Sequence, residues 1–215
     1  MNTTTPSSHG VLPSYDSVVG TVQDWLTDYV CRPNNLIGRT GAVCPFVSSS
    51  RRAGSLEIEV WPVGANPDLG RVAGLVCDGL ERFHQIDWRG SNPGLHSLIM
   101  VLPDLDEAST SLLDGAHHAV KPLAVRRGMM LGQFHPNCAE PAARNAEFPV
   151  SRSPVPLVAI RRMALHDVLF LHDREDWFAE YRRRFGNNYA PGREPVEPLL
   201  TDLFHKACAE YGVST

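Results

Sequence analysis

Lysine is nearly absent from the 215 residues: Lys121 and Lys206 stand against eighteen arginines. An arginine bias of this kind follows from GC-rich codons, so nothing functional is read from it. Basic charge is also short, with 20 basic against 24 acidic residues. The net charge of -4 argues against nucleic acid as the main partner, because phosphate binding wants a basic field. Long apolar runs are missing: Ser97–Leu102 is among the longest, far short of the roughly 20 residues of a membrane span. The opening MNTTTPSSHG has neither the basic nor the apolar region of a secretory signal, which points to the cytoplasm. There the five cysteines are expected as reduced thiols. None is spaced CxxC, so a cysteine-rich zinc site is not expected. No P-loop, GxGxxG turn, HExxH or GxSxG is present, which lowers the case for nucleotide enzymes, zincins and α/β-hydrolases.

What is present is an ordinary globular composition, 43% hydrophobic and 20% charged. A chain of this length can bury about 70% of its unfolded surface. Residues 1–13 are rich in Ser, Thr and Pro and read as a mobile tail, with one domain over 14–215. Val18, Val22, Trp25, Leu26 and Tyr29 form one stripe, predicting a helix from Asp16 to Val30. A loop rich in Gly, Pro and Ser follows, long enough to suggest a functional one. Leu56, Ile58 and Val60 alternate with Glu57, Glu59 and Trp61 as in a half-buried strand. Asp68 caps a predicted helix through about Asp87, with Leu69, Val72, Val76, Leu80 and Phe83 inward. Strands at 96–102, 128–134 and 156–161, and helices at 106–126, 173–185 and 196–211, complete the reading. The order predicts an α+β domain: a mixed sheet of about four strands flanked by helices.

Histidine is the conspicuous residue, nine in number. His135 ends an apolar strand at a proline, so its imidazole is held rigidly, as an axial iron ligand requires. Phe134, Met129 and Met130 could line the apolar pocket of a porphyrin. The plain alternative is a strand-end histidine bonded to a loop. His117 shares a helix face with Leu113, Ala116, Val120 and Ala124, while His118 lies a hundred degrees round, and Pro122 loosens the helix at that point. A satisfied core histidine is the alternative there. His166 and His172 flank LHDVLFLHD, where Asp167 and Asp173 make a carboxylate–histidine site conceivable and a solvated loop the plainer reading.

Among the arginines, Arg161 and Arg162 follow a buried strand and must face opposite sides; they, with Arg144, are candidates to fork onto a carboxylate. Cys44, in VCPFV, could ligate or attack through its thiolate, or rest as a buried thiol beside Phe46.

Two stretches carry a family resemblance. GRTGAVCPFV, with a strand after a short basic turn, resembles the CPF-type entrance of the YqcI/YcgG group. GQFHPNCAEPAARNAEFPVSRSPVPLVAIRRM is similar to that group's HP…R segment leading into a short strand. Members of the group include haem-dependent N-oxygenases acting on the guanidine of arginine. The resemblance implies haem b, and brings Cys44, His135 and Arg144 to matching positions.

The sequence-based expectation is therefore a haem-dependent oxidative enzyme acting on a small nitrogen-containing metabolite, by N-oxygenation or N–N bond formation. His135 would bind iron, with His117 and His118 as alternatives. Phe134, Cys44, Arg144, Arg161 and Arg162 would contact the cofactor. Its partners would be a nitrogenous substrate and O2 or peroxide, without nucleic acid or membrane, and a homodimer is allowed. The rival expectation is a haem-free binding or accessory protein of a biosynthetic cluster.

Overall fold

The computed structural model describes residues 15–90 and 92–213, so the tail expected at 1–13 lies outside the described residues. The chain runs α1 (Tyr15–Trp25), α2 (Val47–Arg52), β1 (Leu56–Val60), α3 (Leu69–Gln85), β2 (Ser97–Val101), α4 (Thr110–Arg126), β3 (Met129–Phe134), β4 (Pro141–Ala142), β5 (Asn145–Pro149), β6 (Leu157–Arg162), α5 (Val168–Leu171), α6 (Glu175–Phe185) and α7 (Pro198–Glu210). The four main strands lie in the order β1-β2-β6-β3, and β4 and β5 form a separate hairpin. The fold class is the α+β class expected. β1 and β2 are parallel and joined through α3, as a crossover connection demands. β6 runs antiparallel between β2 and β3, with Met130 and Ser97 both level with Arg161. Among the described residues no helix is long and apolar enough to cross a membrane.

Successive side chains on a strand point to opposite faces, and this alternation splits the core in two. On one face Leu98, Met100, Met129, Leu131, Val158 and Ile160 meet α3 and α4. Asp68 caps α3 by accepting from the Arg71 amide at 2.7 Å, and Val72, Val76, Leu80 and Phe83 point inward. Leu69 does not: as the first helical residue it remains exposed. Gly79 lies against the sheet where a Cβ would overlap the Met100 sulfur, so only glycine lets α3 come this close.

The opposite face is covered in two parts. α1 packs over Ile99, Val101 and Leu157. α5, α6 and α7 pack with Met130 and Met163 around Phe178, Tyr181 and Phe204. The first helix departs from expectation in its last turn. Residues Leu26–Val30 widen into a π-helical turn, closed by the Cys31 amide donating to the Leu26 carbonyl at 2.9 Å. Such turns are uncommon and gather at functional sites. Leu26, Tyr29 and Val30 from this turn line the cavity described next.

Candidate functional site

Down the middle of the second face the sheet is floored by small residues. Gly132 of β3 and Ala159 of β6 are partners across the sheet, and Ile99 of β2 completes the row. Both Gly132 and Ala159 are only partly buried, although β6 is a central strand. With no bulky side chain there and no helix pressed onto it, the floor carries a cavity of about 630 Å³. That lies inside the range of about 300–1,000 Å³ typical of small-molecule and cofactor sites.

The walls come from three places. The π-helical turn and the loop 31–46 form one side, the 140–151 hairpin another, and residues 166–170 with Glu197 and Leu200 the third. The loop is ordered by its own backbone. Cys44 and Val43 donate amides to Val30 and Arg32, both at 3.0 Å, and the Arg39 guanidinium reaches the Thr40, Ala42 and Val43 carbonyls at 2.8–3.1 Å. Gly38 has a φ of 76° in the left-handed region, and a Cβ there would fall 2.6 Å from the Arg144 carbonyl oxygen. Glycine is thus required both for the turn and for contact with the hairpin.

The lining is mainly apolar, with polar groups at defined points. His166 lines the cavity from the turn Leu165–Asp167, its ring stacked on Phe46 with centroids 4.6 Å apart. Its Nε2 is shut off from solvent and has no hydrogen-bond partner among the described residues. Burial pushes its pKa below the usual imidazole range, ahead of the opposing pull of Asp167, so the ring is held neutral. The turn is fixed on both sides. Asp167, fully buried, accepts two bonds from Arg161 at 2.6 and 2.8 Å and one from the Ala164 amide at 2.7 Å. On the other side Tyr181 donates to the Leu165 carbonyl. Arg161 also lies over the Phe46 ring at 4.6 Å, so one guanidinium steadies both the turn and the ring that His166 stacks on.

Four cations line the cavity, Arg39, Lys121, Arg144 and Arg161, against two carboxylates, Glu140 and Glu197. Arg144 is paired with Glu197 at 2.7 Å and Arg161 with Asp167. Lys121 sits 4.9 Å over the Trp177 ring, has no ion pair among the described residues, and has its pKa lowered chiefly by burial. The cavity is therefore biased toward anions although the whole chain is acidic.

The structure brings some expected residues here and places others elsewhere. Phe134, Cys44, Arg144, Arg161 and His117 line the cavity. Arg161 has its fork taken by Asp167, so it positions the site and is not available to grip a ligand carboxylate. Arg162 points to the other face of the sheet, with its guanidinium 5.8 Å from the Phe83 ring centre. His118 is exposed on α4. His117 gives its Nε2 to the Leu131 carbonyl at 3.0 Å, and burial lowers its pKa to about 4, so it is neutral. His172 bonds the Val168 carbonyl of its own turn.

His135 does not line the cavity. It follows β3 with the parity of Leu131 and Gln133, which turns it toward α4, where its Nε2 lies 3.0 Å from Asp114. The rigidity expected of it is present, on the wrong side of the strand for the pocket. Close by is the buried Cys138 thiol, and the three ligand atoms of Asp114, His135 and Cys138 lie within 4.8 Å of one another. His166 was visible only as one of a flanking pair, since its partners Phe46 and Arg161 are distant or unpatterned in sequence. The HxxC spacing of His135 and Cys138 was readable, though a search for CxxC pairs passes over it.

No curated protein and no solved structure matches the chain. The family model for DUF6875, a domain of unknown function, matches residues 19–195, which include the floor of the cavity, the π-helical turn, the loop and His166. The chain belongs to the DUF6875 family.

Proposed function

We propose that this protein is a haem-dependent oxidative enzyme acting on a small nitrogen-containing metabolite, with His166, in place of His135, as the residue that binds iron. The observation that carries the reading is His166, a residue that lines an apolar cavity of about 630 Å³ and whose buried Nε2 has no hydrogen-bond partner among the described residues. A buried nitrogen without a partner costs free energy, about 1–3 kcal/mol, unless something occupies it. An iron centre is such an occupant, and a neutral imidazole is the form that binds metal. The resemblance of the two sequence stretches to a haem-binding group supports the cofactor, while the histidine it matches is His135 and not His166.

The remaining lining suits the cofactor. Apolar walls from Phe134, Leu157, Met130 and Leu26 would bury the macrocycle. Lys121, which has no ion pair among the described residues, is the cation that would meet the carboxylates of haem or of an amino-acid-like substrate. Arg161 and Asp167 hold the His166 turn rigid, which an iron ligand needs. When bound, haem supplies oxidative chemistry with O2 or peroxide, and the protein contributes orientation, burial and charge.

A second reading is favoured by Lys121. An ammonium without an ion pair among the described residues would suit a haem-free binding or accessory protein that captures an anionic, apolar metabolite. Titration of the purified protein with hemin separates the two. The haem reading predicts a saturating Soret band that shifts with a nitrogenous substrate, is lost in His166→Ala and is kept in His135→Ala. A protein that takes up no hemin, or a band unaltered by His166→Ala, contradicts it.

A further inference from the structure

We infer that Asp114, His135 and Cys138 form a zinc site, separate from the cavity, with one coordination position open to solvent. None of the three lines the cavity. The site is built on a tight turn: the Cys138 amide donates to the His135 carbonyl at 3.1 Å, so residues i and i+3 project their side chains to the same side. Metal-binding knuckles use the same device, with two ligands separated by two residues. The third ligand arrives from α4, whose Asp114 Oδ1 lies 3.0 Å from the His135 Nε2.

The turn is held in place before any ion arrives. Ser153 donates its amide to the His135 carbonyl at 3.3 Å, and the Asn137 side chain donates to Glu107, just ahead of α4, at 2.9 Å. Asn137 thus ties the turn to the segment that leads into the helix carrying Asp114. The ligand atoms lie within 4.8 Å of one another, whereas bonds of about 2.0–2.3 Å to a tetrahedral ion call for separations of roughly 3.3–3.8 Å. Small side-chain rotations close that difference. The Cys138 thiol reaches the Gln133 carbonyl at 3.9 Å and is also hydrogen-bonded by the Glu140 backbone, contacts that a metal–sulfur bond would replace or supplement.

The donor set decides the ion. One imidazole nitrogen, one sulfur and one carboxylate oxygen form a borderline set that suits zinc and disfavours magnesium or calcium, which take oxygen. His135 and Cys138 are buried while the Asp114 side chain is 48% exposed, so the ion would be enclosed on two sides and wet on the third. Three protein ligands and a solvent-filled fourth position are the composition of a site that can polarise water. Binding releases the Cys138 thiol proton to solvent and displaces the His135–Asp114 hydrogen bond.

The test uses the full chain, free of haem and stripped with chelator, titrated with cobalt(II) chloride and then with zinc chloride. The expected result is one equivalent of cobalt bound with a tetrahedral visible spectrum and a sulfur-to-cobalt charge-transfer band, both removed by zinc. Cys138→Ser abolishes the charge-transfer band and Cys31→Ser keeps it. Asp114→Asn, a change at the half-exposed ligand that leaves the core untouched, weakens cobalt binding by more than about tenfold. Failure of the wild-type chain to bind, an octahedral spectrum without the charge-transfer band, or a band that survives Cys138→Ser overturns the assignment. These outcomes are independent of hemin uptake, which reads the cavity alone.

Discussion

On the α3–α4 face of the sheet, Leu98, Met100, Val158 and Ile160 are buried and a glycine lets a helix press against them. On the other face, within the same strands, Gly132 and Ala159 remain partly open. Both faces share one backbone, so the difference lies in side-chain size and in what is laid over it. The closed face is packed as a core that supplies stability. The other forgoes some of that packing to keep a ligand-sized space.

The most forceful way to break this comparison is to open the closed face. Leu80→Ala removes a fully buried side chain of α3 and is expected to lower stability by about 2–5 kcal/mol, read from urea unfolding. A loss under about 1 kcal/mol would mean that this face is not the stabilising one.

The second prediction concerns acid, through His117 at the rim of both faces. Its pKa is depressed from 6.5 to about 4, chiefly by burial. The unfolded chain therefore binds a proton that the folded one refuses between those values. Stability from the neutral ring is fully present above about pH 6.5 and is lost as pH falls toward 4, by up to about 3 kcal/mol. In His117→Gln, which keeps a donor for the Leu131 carbonyl, that part of the acid slope should vanish. An unchanged slope would place the acid sensitivity elsewhere.

The smallest effect on stability is expected from filling the open face. Ala159→Leu adds its bulk to empty space, so urea unfolding should move by less than about 1 kcal/mol, in contrast to the overpacking cost in a filled core. Hemin uptake should nonetheless fall away. A large loss of stability would show that the space is not there to be filled.

How much of this was legible beforehand differs between the faces in the same way. α3 and the four main strands announce themselves by apolar periodicity, because burial against a partner imposes it. The cavity has no such signature, since its floor is defined by the smallness of Gly132 and Ala159. The β4–β5 hairpin was hidden by Pro141 and Pro149, residues that ordinarily argue against strands, and α2 by its serines and arginines. Strand parity alone could have shown that His135 and Phe134 face opposite ways, as it did for Arg161 and Arg162. The role of Arg161 was not readable, because it depends on Asp167 across a tight turn and on Phe46 over a hundred residues earlier.

The account's central claim is that ligand binds the open face and leaves the closed one alone. Hydrogen–deuterium exchange of the full chain with and without hemin tests it most directly. Slower exchange at residues 26–47, 117–121, 130–134, 140–151 and 157–170, with α3 unchanged, is the predicted result. Protection that falls on α3, or on neither face, would contradict it.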